Sequence, residues 1–224
     1  MNITIIANGI FPTEPSVLCA IGNADIVVCC DGALEKYLCW CGRQPAVPSC
    51  RTAVVGDGDS LDETLLTEAR RLLPQLARCR IAEQEDNDLT KSVRYALLQA
   101  AESGMGPEEV HVDILGATGL REDHAMANIS LLAWYAEQYR GTSFCMRTDH
   151  CTMHPVLGSR TFASKAGQQV SIFSLTPEVP VTVSGLRYPI EERCLDWLWQ
   201  GSLNEAVGDT FAVQGGTLIV MINY

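Results

Sequence analysis

Residues 52–60 read Thr-Ala-Val-Val-Gly-Asp-Gly-Asp-Ser and contain the clearest strand-and-turn pattern of the sequence. The small and β-branched residues Thr52–Val55 predict a buried strand that ends at Gly56. Asp57 and Asp59 follow at once in a glycine-containing turn. Ligands of open parallel sheets bind beyond the carboxyl ends of the strands, so these two carboxylates are candidates for a functional role.

The same pattern, a short apolar run followed by glycine or polar residues, recurs along the first two thirds of the chain. Four further runs of this kind are predicted strands: residues 3–7, 26–30, 80–82 and 110–115. Apolar residues at helical spacing predict three helices: residues 61–73, 89–103 and 123–139. This alternation predicts an α/β fold with an open, mostly parallel sheet and flanking helices.

After residue 141 the pattern changes to short β-like runs separated by glycine and proline. Four of these runs are predicted strands: residues 169–175, 179–184, 210–213 and 217–223. They predict a smaller, antiparallel, sandwich-like β domain. We therefore divide the chain into an α/β catalytic domain, residues 1–141, and a β domain, residues 142–224.

Composition excludes several classes of function. The net charge of -11 repels phosphate backbones, so no nucleic-acid partner is expected. No apolar stretch reaches the roughly 20 residues that span a bilayer, so no membrane partner is expected either. The ten cysteines lie in apolar runs without zinc-knuckle spacing, and no secretory leader opens the chain. We expect reduced thiols and a cytoplasmic protein.

The turn at Asp57 and Asp59 has two interpretations. Two hard oxygen donors at this spacing suit magnesium, which binds one or two carboxylates together with substrate phosphates. The alternative is an ordinary Asp/Gly turn in which Asp59 or Ser60 caps the next helix. Taken alone, this segment favours the turn.

A second acidic segment, residues 83–91, places four acids in six positions before a predicted helix. Such a run is typical of a solvated face, and acids also favour a helix N-terminus. It places Asp88 and Lys91 three residues apart, on one side of the first helical turn. A carboxylate that binds metal or accepts a proton, beside a lysine that binds phosphate, is the functional interpretation.

The third segment, residues 115–124, follows the predicted strand 110–115. Its two glycines permit a loop that approaches a phosphate closely, and the planar fork of Arg121 suits an anion. Asp123 and His124 have two interpretations: ligand contacts, or a helix cap and a surface side chain. His124 is a weaker candidate for proton transfer than for an orienting hydrogen bond.

Several common motifs are absent from the sequence. It has no Gly-x-x-x-x-Gly-Lys-Ser/Thr loop, no Gly-x-Gly-x-x-Gly after the first strand, no Gly-x-Ser-x-Gly elbow and no His-Glu-x-x-His. The common nucleotide-binding and hydrolase motifs therefore do not explain the acidic segments. Metal-assisted chemistry on phosphates is the interpretation that remains.

Together these segments resemble the three N-terminal motifs of thiamine pyrophosphokinases, in the same order and at similar spacing. The matching stretches are residues 56–60, 85–91 and 116–128. Residues 30–33, Cys-Asp-Gly-Ala, resemble the family's Ala-Asp-Gly-Gly-Ala step, with Ala33 in place of a glycine. Glu85 stands where the family has aspartate.

The resemblance continues into the predicted β domain. Residues 184–190, Ser-Gly-Leu-Arg-Tyr-Pro-Ile, resemble the family's Gly-Leu-Lys-Tyr/Trp-Pro-Leu segment, and residues 201–205, Gly-Ser-Leu-Asn-Glu, resemble its Gly-x-Ser-Asn-Glu. Leu203 stands where the family has serine. The resemblance therefore spans nearly the whole chain.

The resemblance implies an ATP-dependent thiamine diphosphokinase. The thiamine hydroxyl would attack the β-phosphorus of ATP, and AMP would leave. Asp57, Asp59 and Asp88 would hold Mg²⁺, while Lys91 and Arg121 would offset negative charge on the phosphates.

The resemblance implies further contacts and an assembly. ATP would be bound by polar and glycine residues of the loops: Asp31, Gln84, Gly116, Thr118, Arg121, Asp123, His124 and Asn128. Thiamine would contact Tyr188, Ser202 and Asn204. The family also implies a homodimer.

Two other functions stay open at this point. In a magnesium-dependent phosphohydrolase, water would attack a phosphate ester at the same carboxylates. In a noncatalytic thiamine or nucleotide binding module, Leu203 would mark the loss of turnover. The first would hydrolyse ATP without thiamine, and the second would bind ligands without product.

Overall fold

The computed structural model describes residues 1–59 and 61–224. Within it the chain forms two units, each of which is compact by itself. The first consists of Met1–Asn128 and Gly141–Ser143, and the second of Ile129–Arg140 and Phe144–Tyr224.

The first unit is built on a parallel sheet of five strands: β1 (Asn2–Ile6), β2 (Ile26–Cys30), β3 (Arg51–Gly56), β4 (Ala77–Arg80) and β5 (His111–Leu115). The strand order is β5-β1-β2-β3-β4. Every residue of β2 is buried, and β1 is buried beyond its first residue. Strands that are buried on both faces read as continuous apolar runs, as they do in this sequence.

Four α-helices of the described residues lie wholly within this unit: α1 (Pro15–Gly22), α2 (Leu34–Cys41), α3 (Glu63–Leu72) and α4 (Asp88–Glu102). A further helix, α5 (Glu122–Gln138), begins in this unit and belongs to the second unit from Ile129 onward. Side-chain caps fix the start of α3 and α4. Asp62 accepts a 2.6 Å hydrogen bond from the Leu65 amide before α3, and Asn87 accepts one of 2.9 Å from the Thr90 amide before α4. Both caps satisfy amides that have no partner within the helix.

The predicted elements of this unit are confirmed, with one displacement. The three predicted helices form within two residues of their predicted bounds. The strand predicted over residues 80–82 is wrong in position, since β4 spans Ala77–Arg80 at the sheet edge. An edge strand that reads Ala-Arg-Cys-Arg carries no apolar run, and the sequence pattern therefore misplaced it.

The second unit is an antiparallel sheet of seven strands: β6 (Ser143–Arg147), β7 (Cys151–Ala163), β8 (Gln169–Ser174), β9 (Val181–Ser184), β10 (Ile190–Arg193), β11 (Asn204–Glu205) and β12 (Thr210–Asn223). The long strand β12 pairs with β7, β8 and β9. Inward-facing side chains such as Ile172, Val183, Phe211 and Leu218 form a single apolar core. The predicted fold class is confirmed.

One prediction in this unit is corrected. The separate strands predicted over residues 210–213 and 217–223 are one strand, β12, whose pairing register shifts between Gln214 and Thr217. The two glycines between them accommodate a bulge, not the turn that the sequence suggested.

Each helix among the described residues is too short or too polar to span a lipid bilayer.

Candidate active site

A cleft of about 670 Å³ lies in the first unit, beyond the carboxyl ends of its strands. The chain runs from β1 outward through β2, β3 and β4, and then returns to place β5 on the other side of β1. Strand order reverses there, which is where open α/β sheets bind ligands. Loops after β1, β2, β3 and β5 and the start of α4 line the cleft.

Three carboxylates converge at this edge. Asp31, Asp57 and Asp59 each offer an oxygen atom, and these atoms lie within 4.8 Å of one another. Asp31 follows β2 and is only 1% exposed, while Asp57 and Asp59 follow β3. The Gly58 amide donates a 2.7 Å hydrogen bond to Asp31 Oδ2, which ties the two loops together. This arrangement of hard oxygen donors fits a divalent cation such as Mg²⁺.

The glycines of the turn are required by this convergence. A Cβ atom at Gly56 would lie 2.7 Å from both Cβ and Cγ of Asp31, and Gly58 adopts a positive φ of 85°. The segment is therefore more than a solvent-exposed turn. The alternative that Asp59 caps α3 is wrong because Asp62 is the cap, and Ser60 lies outside the described residues.

Hydrogen bonds hold Asp57 in its ionised form. Gln84 Nε2 donates to Asp57 Oδ2 at 2.9 Å, and the Asp59 amide donates to Asp57 Oδ1 at 3.1 Å. The bond from Gln84, followed by that from the Asp59 amide, lowers the pKa of Asp57. Gln84, a predicted ATP contact, is thus placed against a carboxylate of the cluster.

Asp88 and Lys91 lie together in the first turn of α4, as the sequence predicts. Lys91 Nζ is 3.7 Å from Asp88 Oδ1, and the Lys91 side chain is only 3% exposed. Burial raises the pKa of Asp88; Lys91 opposes this shift, and repulsion from Asp31, Asp57 and Asp59 adds to it. Asp88 therefore belongs to the same electrostatic site, although its oxygens are not among the three-carboxylate group found in the described residues.

The loops after β1 and β5 are fastened to each other by main-chain hydrogen bonds. The Gly9 amide donates to Gly116 O at 2.6 Å, and the Ile10 amide donates to Thr118 O at 2.9 Å. A Cβ atom at Gly9 would lie 2.4 Å from each of these oxygens. The cleft-lining residues Asn8 and Gly9 were missed by sequence reasoning, although a glycine directly after a strand was the available signal.

The predicted ATP contacts after β5 differ in whether they line the cleft and in what they contact. Gly116, Thr118, His124 and Asn128 line the cleft. Asn128 Nδ2 donates to Ala117 O at 2.7 Å, so this amide also supports the loop.

Arg121 forms a two-pronged ion pair with Asp123. Its Nη2 and Nε atoms donate to the two Asp123 oxygens at 2.6 and 3.1 Å, and both side chains are exposed. Arg121 lowers the pKa of Asp123 to about 2. Arg121 lines the cleft, so its guanidinium group can release the Asp123 carboxylate and bind an anionic ligand instead.

In the second unit, the predicted thiamine contacts Tyr188 and Asn204 are neighbours. Asn204 is 5% exposed, and its side-chain amide holds the backbone of residue 188 from both sides. It accepts from the Tyr188 amide at 3.0 Å and donates to Tyr188 O at 2.7 Å. Tyr188 itself remains 63% exposed. Ser202 Oγ donates to Trp199 O at 2.7 Å.

Leu203, between Ser202 and Asn204, has an unusual backbone. Its φ is +59°, a left-handed conformation that a branched side chain rarely adopts, and its side chain is 83% exposed. Trp197 and Trp199 are also exposed nearby in sequence. Sequence reasoning did not single out these two tryptophans, because aromatic residues in a β domain are usually core.

Two family models match the sequence. The model described as thiamin pyrophosphokinase, catalytic domain, matches residues 19–144, and the model described as thiamin pyrophosphokinase, substrate-binding domain, matches residues 152–221. No curated protein sequence matches the chain.

Several solved structures share the fold. The thiamin pyrophosphokinase from Candida albicans superposes with a TM-score of 0.80 at 18% identity, over 99% of this chain and 89% of that one. The yeast enzyme gives 0.79 at 16% identity, over 99% and 85%. The Bacillus subtilis enzyme gives 0.76 at 18% identity, over 99% and 97%.

Proposed function

Because this chain belongs to the thiamin pyrophosphokinase family, we propose that its acidic cleft transfers the diphosphate of ATP to the hydroxyl of thiamine, with AMP as the second product. The chain is a thiamine diphosphokinase. The observation that supports the cleft as the site of transfer is the convergence of Asp31, Asp57 and Asp59 beyond two adjacent strands.

We assign Mg²⁺ to this cleft, because its cluster of hard oxygen donors suits that ion. Asp31, Asp57 and Asp59 would hold it, and Asp88 would add a fourth carboxylate from α4. When bound, the ion neutralises charge on the phosphates and polarises their oxygens. Its charge would also offset the repulsion between ATP and a protein of net charge -11. Asp31, predicted only as an ATP contact, joins the proposed metal ligands.

The remaining polar groups of the cleft position the phosphates. Lys91 is buried against Asp88, and we assign its ammonium to the negative charge that develops during transfer. Arg121 reaches the phosphates when its fork leaves Asp123. A carboxylate of the cluster accepts the thiamine hydroxyl proton. Gln84 keeps Asp57 oriented during the transfer through its hydrogen bond to Asp57 Oδ2.

We assign thiamine recognition to the second unit. Asn204 fixes the backbone at Tyr188, whose exposed ring offers a stacking surface to a cationic thiazolium or to the pyrimidine. Ser202 is the remaining predicted contact. The domain boundary near residue 141, a homodimer and a cytoplasmic location complete the proposal; the ten free thiols support a reducing compartment.

The proposal is tested by incubating the purified protein with thiamine, ATP and Mg²⁺, with and without a chelator, and separating the products. Thiamine diphosphate and AMP in equal amounts, formed only with metal, are the expected result. ATP hydrolysis that does not need thiamine would favour the phosphohydrolase. Retained binding of both ligands without any product would favour the noncatalytic binding module.

A further inference from the structure

Lys36 contacts the main chain of a loop that lines the cleft. Its Nζ atom donates to the main-chain oxygens of Asn8 at 2.8 Å and Gly9 at 2.7 Å. Both residues line the cleft, in the loop after β1. Lys36 itself lies on α2 and belongs to none of the acidic or glycine-rich segments.

This contact ties two functional loops together within the first unit. Residues Asp31–Ala33 form a 3-10 turn that leads directly into α2, so the helix that carries Lys36 also carries the Asp31 turn. Asn8 packs on this turn, because a Cβ atom at Gly32 would lie 2.2 Å from Asn8 Nδ2. The loop after β1 is therefore held by the β5 loop on one side and by Lys36 on the other.

The ammonium also changes the electrostatics of the cleft wall. Two main-chain carbonyl oxygens place partial negative charge beside a cleft that already contains several carboxylates. A cation hydrogen-bonded to both oxygens offsets that charge. The lysines of the chain are Lys36, Lys91 and Lys165, so two of the three serve this cleft.

We propose that Lys36 is a positioning residue for the phosphate chain of ATP: it orients the loop after β1 and offsets the charge of its carbonyl oxygens. The inference rests on the proposed function for the identity of the ligand. Lys36 acts through Asn8 and Gly9 and does not itself touch the phosphates. Its removal should weaken nucleotide binding much more than thiamine binding.

Three substitutions separate charge from hydrogen bonding. Lys36→Arg keeps both, Lys36→Gln keeps a donor without charge, and Lys36→Met keeps neither. Lys165→Met, in the second unit, is the matched control. The readouts are the KM values for ATP and for thiamine, and equilibrium binding of an ATP analogue with a methylene bridge between the α- and β-phosphates.

We expect Lys36→Met to raise the KM for ATP and the Kd of the analogue about tenfold, the usual effect of losing a charge-assisted hydrogen bond. The KM for thiamine should stay within about twofold. Lys36→Arg should behave like the original protein and Lys36→Gln should lie between, while Lys165→Met should change neither constant.

Several results would overturn the inference. Unchanged analogue binding in Lys36→Met is one, and an equal rise in both KM values with a lowered unfolding temperature, which marks a purely structural role, is another. If Lys36→Met does not fold, analogue binding by Lys36→Gln equal to that of the original protein would overturn it. Failure of the proposed function is distinguishable, because analogue binding needs no turnover and would still respond to Lys36.

Discussion

The cleft of the first unit and the Tyr188–Asn204 region of the second present different chemistry. The cleft gathers charged groups at the ends of parallel strands, and glycines allow the loops to approach one another. The second region has one buried amide, Asn204, which holds the backbone beneath an exposed ring. The first can stabilise charge that develops in a reaction, and the second can recognise the shape of a ligand. Substitutions in the two regions should therefore change different kinetic constants.

The largest effect is expected from Asp59→Asn. Losing one carboxylate of the metal site removes several kcal/mol of charge stabilisation, so turnover should fall by at least about a thousandfold. The fold should remain intact because Asp59 is exposed. The measurement is the rate of thiamine diphosphate formation together with the circular dichroism spectrum. Glu68→Gln, on the exposed face of α3, is the control, and an active Asp59→Asn variant would remove the metal assignment.

Asn204→Ala should impair thiamine binding by the second region without affecting nucleotide binding by the first. The backbone amide and carbonyl of Tyr188 would each lose a partly buried hydrogen bond, at a cost of about 0.5–1.5 kcal/mol per bond. We expect the KM for thiamine to rise by about 10–100-fold, while binding of the ATP analogue is unchanged. Ser202→Ala, which loses a hydroxyl contact in the same segment, should have a smaller effect. Weakened nucleotide binding in Asn204→Ala would contradict the division of labour.

In the metal-free protein, replacing Asp88 or Asp57 by asparagine should change the stability in opposite directions, and both changes should depend on pH. Burial raises the pKa of Asp88 in the folded state, so its ionisation destabilises the fold. Asp88→Asn should therefore unfold at a higher temperature than the original protein at pH 7. This gain should vanish as the pH falls to about 4, where the unfolded carboxyl also binds a proton.

Asp57→Asn is the matched comparison for that experiment. The hydrogen bond from Gln84 lowers the pKa of Asp57, so its ionised form stabilises the fold above its ordinary pKa. This variant should be less stable than the original protein at pH 7, and the loss should disappear as the pH falls through the lowered folded-state pKa. Shifts of the same sign in both variants would contradict the electrostatic description of the cleft.

The smallest effect concerns the strained backbone of the second region. Leu203 and Glu192 are non-glycine residues with positive φ, at 59° and 45°. Glycine at either position should stabilise the protein by about 1 kcal/mol, which raises the unfolding temperature by about 2–4 °C. If the exposed Leu203 side chain contacts the alcohol substrate, Leu203→Gly should also raise the KM for thiamine a few-fold. Glu192→Gly should leave that KM unchanged.

The sequence predicted the first region better than the second for a physical reason. Parallel strands bring their carboxyl ends to one edge, so Asp57, Asp88 and Gly116 could be grouped from their positions after strands. The sequence did not predict that Asp31 lies beside Asp57 and Asp59. This grouping depends on the pairing of β2 with β3, which only the folded structure shows.

The partners of other residues cannot be identified from the sequence. Lys36 and Asn204 act on main-chain atoms, which every residue possesses, so no pattern of side chains identifies their partners. The polar edge strand β4 and the bulge at Gly215–Gly216 were misread for a related reason, since apolar periodicity reports burial and not pairing. Prediction therefore succeeded for buried strands and helices and failed where an element is set by strand pairing and not by burial.

The central claim, that Asp31, Asp57 and Asp59 hold a divalent cation, is tested most directly by metal binding without turnover. Mn²⁺ can replace Mg²⁺ and be followed by electron paramagnetic resonance, in the presence of the methylene-bridged ATP analogue. Asp31→Asn and Asp57→Asn should each weaken Mn²⁺ binding at least about tenfold, and Glu68→Gln should leave it unchanged. Equal Mn²⁺ affinity in all four proteins would contradict the account and leave the carboxylates without their assigned role.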